Sequence, residues 1–435
     1  MKTQIQTRIG LAVGLTLALL AGLAPRAEAA GFEMPITFGG YTNRSEALTN
    51  FPVLVVFSNG VGSSGFSFSS HPFVTTNGYD LRFYTNATDT GSGLDYEIES
   101  WNTNSASYVW VQVPLIPTNG MGSIHTKWGD TAASNQLACT TNGAVWTNGF
   151  AAVWHMGQTN AQDSTSNRNH GTSSNNTTAI GFIGDAQGFN GSSAYIDVGN
   201  GTSVQITGNK WTASAWINPT GNVANGTIFT KTAAYYFQRH GTDQKLAGYM
   251  TGTTPLQYNY STNTAPLNAW THAAIVYDGS ALCFYLNGAE SGRTNRTGNI
   301  SSTPNNLRIG RDTSTPPDRH WKGFLDELRL CAVARSTNWI WAEYLNTASN
   351  TIFNTYGTAS SAAPATALPQ IENRAPSGVT TGGATFNGYL LTNGFENASV
   401  YVLWGRPMGS SARLGPTPIG GRLAPGPTGA TPRQT

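Results

Sequence analysis

Charge is what this chain has little of. Of its 435 residues, 11% are Asp, Glu, Lys or Arg, against about 25% in an ordinary soluble protein. The 24 Lys and Arg nearly cancel the 22 Asp and Glu, leaving a formal +2. Nucleic-acid binding by counterion release wants a basic surface, so that class of partner is excluded. The Ala, Glu, Lys and Leu that a coiled coil or helical bundle repeats at helical period are too sparse here. Cysteine is scarce as well, with Cys139, Cys283 and Cys331 alone. They form no CxxC pair and no Cys/His group with zinc spacing. Cys283 in ALCFYL and Cys331 after LRL read as small hydrophobes in strands rather than as a bridge. Beyond residue 23 no apolar run approaches the ~20 residues that span a bilayer.

The chain is rich in turn formers and aromatics. It holds 50 Gly and 21 Pro, with 12 Trp, 17 Tyr and 18 Phe. That aromatic load and near-neutral charge exclude a disordered chain. The polar surface is built from Asn, Thr and Ser. At the start, Lys2 and Arg8 precede an apolar run over residues 9–23, and Ala27-Glu28-Ala29 follows with small-x-small spacing. Residues 1–29 are therefore expected to be an export signal. Export places the mature chain outside the cell, on its surface or in the periplasm.

Short β-branched and aromatic runs recur along the rest of the chain. They include FPVLVVF from Phe51, YEIESW from Tyr96, YVWVQVPL from Tyr108, WTASAWI from Trp211, HAAIVYD from His272 and FLDELRL from Phe324. Asn-Gly pairs, as at Asn59, Asn119 and Asn287, supply the positive φ of tight hairpins. Many short strands with frequent turns predict an all-β protein of two β-sandwiches. WIWAEYL, near residues 338–345, is the one helical stretch. Polar, small-residue segments at 131–150 and 348–372 are expected linkers. They bound modules at 31–130 and 151–347. After residue 404 no acid remains, and Gly, Pro and Arg dominate residues 406–435, which are expected to be a disordered tail.

Residues 151–347 resemble the laminin-G-like, concanavalin A-like jelly-roll modules of secreted bacterial proteins. The resemblance is carried by AVWHM from Ala152, DSTSNRNHG from Asp163, GFNGSSAYIDVG from Gly188, WTASAWINP from Trp211, WTHAAIVYDGSALCFYLNG from Trp270 and WKGFLDELRLCAVARS from Trp321. Three positions depart from the family pattern: Asn167 and Arg168 in the loop, and Asn190 where Asp is usual. Residues 31–130 are similar to a bacterial surface domain of unknown function, through FPVLVVFS, YDLRFY, LDYEIESWN, VWVQVP and KWGD. Residues 373–405 resemble the start of an immunoglobulin- or fibronectin-type repeat, which then breaks off at Arg406.

The jelly-roll resemblance implies a structural Ca2+ held by Asp163 and Asp326, with loop carbonyls and Asn169. The alternative for Asp163 is that it caps a turn through its own backbone. It also implies ligand recognition through rim loops or aromatics on a sheet face. Tyr235, Tyr236, Phe237, Tyr249, Tyr258, Tyr260 and Trp321 qualify by type, and Tyr236, Tyr249 and Trp321 are taken as ligand-binding. His155 and His272 fall in strands and read as structural. Glu97 and Glu99, at i and i+2 of a strand, point to one face. They are the one carboxylate pair with a separation suited to glycoside hydrolysis. The acidic strand motif of the laminarinase-type enzymes of this fold is missing, so no catalytic residue is assigned. The expected function is a secreted, non-catalytic binding or adhesion protein that recognises a glycan or an extracellular surface protein. A polysaccharide hydrolase or its accessory module, and a structural spacer, are the alternatives.

Overall fold

The computed structural model describes residues 3–10, 31–89, 91, 93–130, 134–158, 160–313, 319–362, 370–380 and 383–392. Residues 31–362 form one compact unit, and residues 1–30 with 363–435 form another. In the latter, Thr3–Gly10 and Gln370–Thr380 flank Gly383–Thr392 in an antiparallel three-stranded sheet. The bulk of the expected export signal (11–29), the break at Arg406 and the tail over 406–435 lie outside the described residues.

The larger unit contains two β-sandwiches. In the first, Phe32–Thr37, Ser123–Trp128 and Arg82–Tyr84 pair side by side. They face a second sheet made of Leu48–Ser58, Ala106–Ile116 and Tyr96–Ser100. Met34, Ile36, Phe83 and Trp128 of one sheet share a core with Val53, Val55, Val109 and Val111 of the other. Phe51, Val53, Leu54 and Val55 are all buried, so this strand is covered on both faces. That explains its unbroken apolar run. On the other face Leu54 and Val56 look toward Phe182, Ile183 and Ala348, while at the start of the strand Trp339 packs edge-on against Phe51, with ring centroids 4.8 Å apart.

The second sandwich is the jelly-roll. Its eight-stranded sheet runs Thr177–Ile180, Asp185–Asn190, Lys322–Cys331, Trp211–Pro219, Thr271–Tyr277, Ala281–Leu286 and Ala289–Asn295, with Phe150–Trp154 also on Lys322–Cys331. Its seven-stranded sheet runs Asn259–Thr264, Lys245–Met250, Tyr235–Arg239, Gly226–Lys231, Leu307–Ile309, Tyr195–Gly199 and Thr172–Ser174. Trp154, Trp211, Phe229, Tyr235, Phe237, Ile275 and Phe284 fill the space between them. On the other side of the eight-stranded sheet, Val276, Cys283, Tyr285 and Cys331 join the first module's core. All three cysteines are free thiols.

The described residues of both segments expected as linkers are folded. Over 131–150, two short 3-10 turns, Ala138–Thr140 and Ala144–Trp146, bury Val145 and Trp146. Gln112 Nε2 donates to Val145 O at 2.9 Å, fixing the second turn to the first module. Helix Thr337–Ala348 is longer than the two turns expected, and Ser336 caps it by accepting from Trp339 N–H. A second short helix, Asn350–Phe353, follows. Thr355–Tyr356 and Ser360–Ser361 then pair with Phe32–Thr37. The small, polar composition of 348–362 hid two anchors, Phe353 and Tyr356, which are both buried. The first sandwich is therefore completed by residues that follow the second.

Candidate functional site: a tyrosine row and a buried acidic junction

Side-chain alternation in the seven-stranded sheet sets its two faces. Tyr235, Phe237, Leu246 and Met250 point into the core. Their neighbours Tyr236, Gln238 and Tyr249 take the outer face. Tyr236 pairs with Tyr249 across the strands, and Ala247 with Tyr260. A row of rings follows: Tyr236–Tyr249 at 5.4 Å, Tyr249–Tyr258 at 4.9 Å and Tyr258–Tyr260 at 6.4 Å. His240 meets the end of the row, 5.5 Å from Tyr260. Exposure rises along it. Tyr236 is buried, Tyr249 and Tyr258 are half-buried, and Tyr260 is 41% exposed. Arg319 Nη1 donates to Tyr258 Oη at 2.9 Å and lies 3.5 Å from the buried Asp312 carboxylate. Burial pushes the Tyr258 phenol above its ordinary value, so it stays a neutral hydroxyl. On the same sheet Arg308 holds Asp197 at 3.1 Å.

Of the three aromatics taken as ligand-binding, only Tyr249 presents a half-open ring. Tyr236 supports the row from beneath, its hydroxyl accepting from Ala233 N–H at 2.8 Å. Trp321 belongs to the core, at 1% exposure. It sits at the head of strand Lys322–Cys331, and hydrophobic burial draws so large a ring inside. Tyr258 and Tyr260 were eligible by type. Arg319 and His240 carried no local signal.

The residues expected to hold calcium do not fit it. Asp163 Oδ1 accepts from Val153 N and Thr165 N at 3.0 and 2.9 Å. Its Oδ2 accepts from Asn169 N, Asn169 Nδ2 and Thr165 Oγ1 at 2.7, 3.0 and 3.0 Å. Five donors saturate this carboxylate, and Asn169 turns its amide nitrogen toward it rather than an oxygen. Asp163 thus pins the 163–171 loop onto the first jelly-roll strand. Asp326 accepts from Phe182 N, Ile183 N and Glu327 N at 2.8, 2.9 and 2.8 Å. Burial and the Glu327 charge push its carboxyl well up. Calcium needs ionised oxygens with lone pairs to spare, and neither residue offers that.

Glu97 and Glu99 do share one face, but that face is closed. Their side chains are 17% and 6% exposed. Both turn toward His155 at the junction between the two sandwiches. Trp146 Nε1 and Ser164 Oγ donate to Glu97. Trp110 Nε1 donates to Glu99 at 2.7 Å. From the jelly-roll, Glu327 Oε1 meets His155 Nδ1 at 2.6 Å, and Arg329 Nη2 meets Glu327 Oε2 at 2.7 Å. Arg329 also stacks over Trp110, 4.4 Å from its ring centroid. One step further, Glu343 receives Ser214 Oγ and lies 3.5 Å from both Arg329 Nη1 and His272 Nε2. Burial and the Glu327 charge push the Glu99 carboxyl up to about 8. Burial would also raise Glu343, but Arg329 and His272 outweigh it and hold that carboxyl down at about 2.

Residues 190–341 match the family model of the concanavalin A-like lectin/glucanases superfamily. Those residues are a concanavalin A-like domain. Residues 77–149 match the model of a domain of unknown function, DUF2341, within the first sandwich and the turns that follow it. No curated protein matches the chain. Among solved structures, the chain is similar to domain 4 of AbnA, an extracellular GH43 arabinanase of Geobacillus stearothermophilus, in complex with arabinotriose. Identity is 22%, coverage 44% of this chain and 96% of that one, and the TM-score 0.37. It is also similar to the binding domain of Paraclostridial Mosquitocidal Protein 1, at 13% identity, 45% and 52% coverage and a TM-score of 0.38. A third is the binding domain of botulinum neurotoxin serotype G, at 12% identity, 46% and 52% coverage and a TM-score of 0.38. The chain thus spans about half the length of the two toxin domains.

Proposed function

We propose that this is an exported, non-catalytic carbohydrate-binding protein whose glycan lies across the tyrosine row of the seven-stranded sheet. The observation that carries this reading is the graded row Tyr249–Tyr258–Tyr260 on a sheet face that the jelly-roll core does not need. A sugar ring has apolar C–H faces and a rim of hydroxyls. Tyrosine rings cover the former, and their hydroxyls, with Arg319 and His240, bond the latter. Little net charge is required, which suits a neutral polysaccharide. The concanavalin A-like domain of residues 190–341 agrees with this. The non-catalytic part rests on the closed position of Glu97 and Glu99, where a substrate would have to displace Trp146 and Trp110 to reach them.

The experiment is a glycan array on the full chain, followed by titration of the best polysaccharide. Tyr258→Ala should weaken binding about tenfold, which corresponds to roughly 1.4 kcal/mol. Wild-type affinity in Tyr258→Ala would move the site off this face. An array with no hit would favour a spacer. Release of reducing sugar that Glu97→Gln abolishes would make the protein a hydrolase.

A further inference from the structure

The junction cluster has the composition of a metal site. Glu99, His155 and Glu327 each offer one ligand atom, and these atoms all lie within 4.8 Å of one another. Nδ1 of His155 faces both glutamates, 2.6 Å from Glu327 Oε1 and 3.5 Å from Glu99 Oε2. A second observation is independent of that grouping. His155 is 8% exposed, and its Nε2 is buried with no hydrogen-bond partner. The atom it faces, Glu97 Oε2, is 3.7 Å away. Glu327 has Arg329 as a cationic partner, whereas the hydrogen bond Glu99 receives comes from a neutral indole. The backbone is shaped to make this contact. Glu327 and Met156, beside His155, both adopt left-handed φ, at 50° and 62°. Glu327 sits where the register of Lys322–Cys331 shifts against Trp211–Pro219. Such bulges re-aim a side chain out of the ladder.

We propose that Glu99, His155 and Glu327 hold one divalent transition-metal ion that staples the first module to the jelly-roll. An imidazole nitrogen with two carboxylate oxygens is a donor set of the zinc kind rather than the all-oxygen set of calcium. With Nδ1 on the ion, the ring proton sits on Nε2 and faces Glu97, the outer carboxylate that orients a ligating histidine. The buried Nε2 then has a use. Glu99 comes from one module and the other two ligands from the second, so ion binding adds directly to the stability of the joined unit.

The test uses the full chain, stripped with chelator, dialysed and titrated with ZnCl2. Metal content is measured by mass spectrometry and melting by calorimetry. One zinc per chain and a melting temperature higher by several degrees are expected. Glu99→Gln keeps an acceptor for Trp110, so it should fold, and it should lose at least tenfold in zinc affinity. Glu97→Gln should lose about tenfold, as outer-shell changes do. Loading with Co2+ gives a second readout, a visible absorption band present in the wild type and absent in Glu99→Gln. The proposal fails if the stripped wild type takes up no zinc, or if Glu99→Gln binds it as tightly. The cluster would then be balanced by Arg329 and protons without a metal.

Discussion

The outer face of the seven-stranded sheet and the junction between the sandwiches invert the usual division of a protein. The open face is neutral and aromatic, with Tyr249, Tyr258 and Tyr260 partly in solvent. The closed junction is rich in ionisable groups, with Glu97, Glu99, Asp326, Glu327, Glu343, Arg329, His155 and His272 drawn together. A chain with so few ions has concentrated many of them where water is scarce. Charges at a junction act over short range in a low dielectric and are satisfied only in one relative placement of their partners. They therefore specify how the two modules meet, while the neutral face is left free to contact something else.

The sharpest break of this contrast is Arg329→Met. It removes the guanidinium that serves both Glu327 and Glu343. Leaving buried carboxylates uncompensated should cost about 3–5 kcal/mol, read by urea denaturation followed through tryptophan fluorescence. A loss below about 1 kcal/mol would mean that the junction is wetter than its burial indicates.

Acid probes the same region more gently. Glu343 is held at about 2 in the folded chain, against about 4.3 for an unfolded glutamate. Its contribution is therefore complete above about pH 5 and drains away as pH falls toward 2. Glu343→Gln should be less stable than wild type at pH 7, and its stability should fall less steeply between about pH 5 and 2. Parallel pH curves for the two proteins would remove Glu343 from the network.

Much of the fold was legible in the chain, and the reason is local. FPVLVVF, WTASAWI and ALCFYL announce strands by composition, and Asn-Gly pairs announce their turns. The bet on Trp321 failed because residue type says nothing of which way a strand faces. The linkers were misread because Phe353, Tyr356 and Trp146 anchor segments that are otherwise small and polar. The calcium ligands failed for a different reason. Asp163 and Asp326 stand at family positions, but what surrounds a carboxylate decides whether it has lone pairs left. Glu97 and Glu99 were legible as a same-face pair. That they meet His155 and Glu327, residues 155 and 327 of another module, is a tertiary fact that no local spacing encodes. A histidine inside an apolar strand reads as structural for the same reason.

The smallest expected effect tests the other half of the contrast. Tyr260 is 41% exposed and ends the aromatic row. If the open face exists for contact rather than for folding, Tyr260→Ala should change stability by no more than about 0.5 kcal/mol, the range of ordinary surface substitutions. The same variant should bind the best glycan from the array more weakly, because the ring that meets solvent has most area left to give to a ligand. Stability and binding then separate cleanly: Arg329→Met weakens the fold, and Tyr260→Ala disarms the face while the melting curve stays in place. A Tyr260→Ala protein that melts several degrees lower would mean that the row is a buttress for strand Asn259–Thr264, packing its own sheet edge, and that the ligand face must be sought elsewhere on the jelly-roll.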